Sequence, residues 1–93
     1  MAKRLIRIQN KLGLHARASA KLAAEASRFN SEVLLGKDGI EINAKSIMGI
    51  MMLAASKGSK LLLRADGPDA EAALESIEAL VNSRFEPDTE TLG

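Results

Sequence analysis

The apolar positions change period several times along this chain, and each change marks an element. From Lys3 to Gln9 apolar and polar residues alternate, with Ile6 and Ile8 on one face and Arg4 at the margin; a period of two predicts a first strand. Asn10 to Leu14, containing Gly13, reads as a loop. From Ala16 the period becomes helical: Leu22, Ala26 and Phe29 fall at i, i+4 and i+7, while Lys21, Glu25 and Arg28 lie elsewhere on the surface. Asn30 and Ser31 are predicted to stop this helix. Val33 and Leu35 mark a second strand, "GKDG" at 36–39 a hairpin turn, and Ile42 with Ala44 a third strand. Ser46 stands before a short helix, Ile47 to Leu53, and Lys57-Gly58 ends the connection that follows. Leu61, Leu63 and Ala65 alternate along a fourth strand. Gly67-Pro68 opens a last helix, with Asp69 and Glu71 at the end that favours negative charge. Its buried stripe is Ala70, Ala73, Leu74, Ile77, Leu80 and Val81. From Glu86 the segment "EPDTETLG" is polar, has no period and is expected to fray.

The predicted order is βαββαβα, without internal repeat or linker. It describes one α+β domain over residues 1–93, a four-stranded antiparallel sheet with three helices packed on one face. A chain of 93 residues buries roughly 60–65% of the surface it exposes when unfolded, and 46% hydrophobic residues supply one core. Without cysteine there is no disulfide framework, thiolate nucleophile or thiolate metal site. A single histidine excludes a multi-histidine zinc site. No apolar run reaches the ~20 residues that span a bilayer, and Met1 to Ile8 is charged and strand-like, unlike a signal peptide. The expected location is the cytoplasm.

Net charge is only +1, but it is unevenly placed. Lys3, Arg4, Arg7, Lys11, Arg17 and Lys21 precede the first acid, whereas Asp66 to Gly93 holds eight acids against Arg84 alone. The basic half is suited to anions or an acidic partner surface. Nucleic acid fits poorly, because Phe29 and Phe85 are the only aromatic residues and give no stacking platform.

The single histidine, His15, lies in "KLGLHARASAKL", at or just before the first helical residue. A helix start leaves backbone N–H groups unpaired under the positive end of the macrodipole, which suits an anion. Ala16, Arg17 and Ala18 supply those N–H groups, and Arg17 adds a forked cation matched to phosphate oxygens. Positive surroundings would stabilise a phosphoryl group carried on the ring. Gly13 lets the loop approach closely. Hydrolysis by a serine triad is disfavoured, because no acid is placed by sequence to orient His15.

"LGLHARASAKL", followed by "KSIMGIMMLAASKG", resembles the HPr family, the histidine-containing phosphocarriers of the bacterial phosphoenolpyruvate-dependent phosphotransferase system. The resemblance covers about residues 3 to 85 in the same element order. It implies an open-faced β-sandwich and a carrier that is not itself an enzyme. His15 would accept a phosphoryl group on Nδ1 from enzyme I and pass it to an enzyme IIA domain, in sugar uptake or its regulation. Arg17 would hold the phosphoryl oxygens. Ser46 would be a regulatory serine, phosphorylated by an HPr kinase/phosphorylase. No cofactor or metal is implied, and the expected working unit is a monomer that does not insert into membranes. "MMLAASKG" is similar to Gram-negative forms, including the nitrogen-related branch. One departure is Ala18, where the family usually has proline. Alanine is a good helix residue, so the helix start is expected to survive, and it restores an N–H.

The second motif adds a surface. Ile47 to Leu53 is apolar nearly all round; Ile50 and Leu53 point one way, and Ile47, Met48 and Met51 roughly opposite. Only one stripe can face a one-sided sheet. The resemblance makes Ile47, Met48 and Met51 an exposed docking patch rimmed by Arg17. Ser46 is also a favoured helix cap. The alternative is a regulatory interaction module of the same fold that carries no phosphate, against which His15 with Arg17 argues.

Overall fold

The computed structural model describes residues 1–85; the expected fraying of 86–93 lies outside them. Four strands and three helices follow the order β1 (Ala2–Arg7), α1 (Ala16–Ala26), β2 (Glu32–Lys37), β3 (Ile40–Asn43), α2 (Ile47–Met52), β4 (Lys60–Asp66), α3 (Ala70–Asn82). The sheet order is β1-β4-β2-β3 and every pairing is antiparallel. Side-chain alternation sends Ile6, Val33, Leu35, Leu61, Leu63 and Ala65 into one core with Leu22, Ala26, Leu74, Ile77 and Val81 of the helices. The other face of the sheet carries no helix. The fold is therefore an α+β open-faced sandwich.

Element ends differ from the sequence reading for local reasons. β1 stops at Arg7, its last register partner being Lys60. Ile8 is still in the core, and its backbone ties to the next segment: its N–H donates to Ser59 O at 2.9 Å and its carbonyl accepts from Gly58 N at 2.7 Å. The hairpin turn is only Asp38-Gly39, both at positive φ (51° and 83°), because Lys37 already pairs with Ile40. That is the backbone a two-residue hairpin demands. β3 thus begins at Ile40, and Ala44 lies beyond it, its N–H donating to Val33 O at 2.9 Å. α1 ends at Ala26, earlier than expected, because the N–H groups of Arg28 and Phe29 reach back three residues, to Glu25 O and Ala26 O. Phe29 packs against the core from this tightened turn. α2 ends one residue early, at Met52, with Leu53 as its C-cap.

Gly67-Pro68 leads into α3, and Asp69 is its N-cap, yet the carboxylate does not cap the helix. It turns to the α1–β2 connection instead, accepting from Asn30 N and Ser31 N at 2.9 Å and from Ser31 Oγ at 2.5 Å. These bonds, the Ser31 hydroxyl first, hold Asp69 below the ordinary carboxylate range. α3 ends in two residues at positive φ, Arg84 and Phe85, with Phe85 N–H reaching back to Leu80 O at 2.9 Å. This returns the Phe85 ring to the core, where it is fully buried. The basic amino-terminal half is partly neutralised within the fold: Arg4 donates to Glu78 at 2.9 Å and Glu71 at 3.5 Å on α3.

Candidate functional site

His15 occupies the N-cap of α1 with extended backbone (φ −71°, ψ 178°), and its ring makes no capping bond to the helix. Its carbonyl accepts the first helical bond, from Ser19 N at 2.8 Å. Helix geometry therefore leaves the N–H groups of Ala16, Arg17 and Ala18 without intrahelical acceptors. The first turn holds no acid to compensate them. Arg17 is exposed and has no ion-pair partner among the described residues. His15 is half-buried, with its Nε2 atom shielded from solvent. The alanine at position 18 does preserve the helix start: α1 begins at Ala16, and Ala18 packs into the core.

The loop ahead of His15 is held by bonds that sequence reading did not reveal. Asn10 is buried and its side-chain amide donates to Gly13 O at 2.7 Å, while Gly13 N–H donates to Asn10 O at 3.1 Å. Leu14 N–H donates to Ala55 O at 2.8 Å, and Ser19 Oγ to Leu14 O at 3.1 Å. Gly13 has φ +68°, and a Cβ there would lie 2.5 Å from Ala55 O. Only glycine fits that backbone and that contact. The connection after α2 thus clamps the residue before His15.

α2 packs beside α1. Ser46 caps it, Oγ accepting from Gly49 N at 3.0 Å. Ile50 and Leu53 are buried, and Ile47, Met48 and Met51 are exposed, as the helical phase predicts. Met52 is equally open at 71%, and Leu12 on the His15 loop at 61%. Both are exposed apolar residues beyond the three read from periodicity. Among the described residues no group of His, Cys, Asp or Glu could hold a metal ion, and no helix is long and apolar enough to cross a membrane.

A family model described as "PTS HPr component phosphorylation site" matches residues 2–83. The chain belongs to the HPr family. The phosphocarrier protein HPr of Cupriavidus necator is 52% identical over 85 residues, covering 91% of this chain and 96% of that protein. Among solved structures, HPr from Thermoanaerobacter tengcongensis superposes with a TM-score of 0.89 at 45% identity, over 91% of this chain and 96% of that one. The Bacillus subtilis protein Crh, solved as a dimer with a swapping domain, superposes at 0.73 with 45% identity, over 90% and 97% of the two chains. HPr proteins are phosphocarriers of the phosphotransferase system and not catalysts in their own right, and the chain shares that role.

Proposed function

We propose that His15 accepts a phosphoryl group from phospho-enzyme I and donates it to an enzyme IIA domain. The observation that carries this reading is the histidine at the N-cap of α1, beside three N–H groups and a cation with no acid in the turn. Nε2 is shielded from solvent, and we assign Nδ1 as the ring nitrogen that takes the phosphoryl group. In each step one nitrogen–phosphorus bond breaks on the donor while another forms on the acceptor. Three phosphoryl oxygens carry the charge throughout, so catalysis is mostly positioning and electrostatics. Ala16, Arg17 and Ala18 N–H groups and the Arg17 guanidinium meet those oxygens. Gly13, pinned on Ala55, fixes where the ring stands.

Enzyme I and the IIA domain meet the apolar surface of Ile47, Met48 and Met51, with Arg17 as its basic rim. Ser46 is a regulatory site for a kinase as well as a cap. Phosphate there adds up to two negative charges beside that surface and repels an acidic partner. We assign the single chain as the working unit. We assign the carrier to the cytoplasm, in keeping with an enzyme I that draws on phosphoenolpyruvate. The site chemistry supports the carrier over a purely regulatory module. The test is a chase: protein labelled from phosphoenolpyruvate through enzyme I should lose its label to an added IIA domain. Label that stays on the chain in the presence of several IIA domains would contradict the carrier reading.

A further inference from the structure

The helix-free face of the sheet carries a pattern that phosphoryl transfer does not use. Three register pairs of β1 and β4 lie on it in sequence: Lys3 with Arg64, Leu5 with Leu62, and Arg7 with Lys60. A leucine pair is thus bracketed by two cation pairs. Like charges directly opposite on neighbouring strands, with Cβ atoms roughly 5 Å apart, repel. Arg64 is offset by Glu41 at 2.6 Å, but Lys3, Arg7 and Lys60 have no ion pair among the described residues. Leu5 is 64% exposed, and beside it a recess of about 380 Å³ runs between Leu62, Gly36, Lys60 and the β2–β3 hairpin.

Cations on an edge strand can guard it against pairing with other chains. That explains Lys3 and Arg7 on β1; it does not explain Lys60 and Arg64, because β4 lies between β1 and β2. Retaining repulsion on an interior strand beside exposed leucines points to an anionic partner. A uniformly anionic bilayer fits poorly, since Glu32, Glu41 and Asp66 share this face.

We propose that this face docks an acidic protein segment in which carboxylates flank an apolar side chain. Alternate residues of an extended chain lie about 7 Å apart, as do successive rows of the sheet. A segment of the form acid-x-apolar-x-acid, laid along the register rows of β1 and β4, therefore puts its apolar residue on Leu5 and Leu62. Its two acids then meet Arg7 with Lys60 at one end and Lys3 at the other.

The test uses the full chain, nitrogen-15 labelled, titrated with the blocked peptide Glu-Thr-Leu-Thr-Glu and with Glu-Thr-Ser-Thr-Glu. Amide shifts should centre on Leu5, Gly36, Lys60 and Leu62, and the serine peptide should bind more weakly. Lys60→Glu replaces repulsion by attraction to Arg7, so it should raise Tm while weakening the leucine peptide by about tenfold. Shifts centred on His15 and Arg17, equal binding of both peptides, unchanged affinity in a more stable Lys60→Glu protein, or binding to phosphatidylserine vesicles but not to the peptide would each overturn the proposal.

Discussion

On the proposed reading, the His15 ring attacks phosphorus and then holds a dianion, and its neighbours serve the second task. Arg17 is exposed and outside the core, so replacing it should leave the melting temperature unchanged. Removing a donor aimed at transition-state charge typically costs about 10²-fold or more in rate. Arg17→Ala should slow transfer from enzyme I by that order, and Arg17→Lys by less, since lysine keeps the charge but loses the fork. Equal rates in quenched-flow labelling of all three proteins would remove Arg17 from the mechanism. Gly13 sets position, not charge. Gly13→Ala should lose about 1–3 kcal/mol in urea denaturation, from strain at φ +68° and the contact with Ala55. It should also slow labelling in the fraction that remains folded. The placement of His15 and Arg17 at the start of α1 was legible because they share one contiguous stretch. The seat of Gly13 on Ala55 was not, because it joins loops that sequence patterns treat separately.

Among the elements, α2 serves as both scaffold and surface. Its phase was readable in sequence: Ile50 and Leu53 face the core while Ile47, Met48 and Met51 do not. Ser46 caps it through Gly49 N, and losing such a cap costs about 1 kcal/mol. Ser46→Ala should therefore lower stability by about that amount. Ser46→Asp keeps a capping oxygen and should melt within a few degrees of the parent. The aspartate should nonetheless accept phosphate from enzyme I more slowly, with the defect shrinking as salt rises. A defect that ignores salt would point to a steric cause. The strand and helix stripes were legible because each period repeats within its own segment. Phe85 was not, because it follows the end of the α3 period and reaches the core only through two left-handed residues. The early end of α1 is of the same kind: Phe29 fits the helical phase in sequence, yet it packs from a turn.

For the whole molecule, Asp69 ties the start of α3 to the α1–β2 connection. Its folded pKa is depressed below the ordinary 3.8, so its contribution is full above that value and is lost as pH falls through the lower folded value. The melting temperature should drop in that acidic window, and Asp69→Asn should flatten the drop. An unchanged acid profile in the variant would assign acid sensitivity to other carboxylates. On the proposed reading, the His15 loop, the first turn of α1 and the exposed side of α2 together supply a nucleophile, a cation, three N–H donors and an apolar docking surface. The most direct test of that assembly is intact mass after incubation with phosphoenolpyruvate and enzyme I, for the parent chain and for His15→Ala. The parent should gain one acid-labile phosphoryl group, and the variant, folded to the same melting temperature, should gain none. Labelling of His15→Ala at the parent rate would contradict the account.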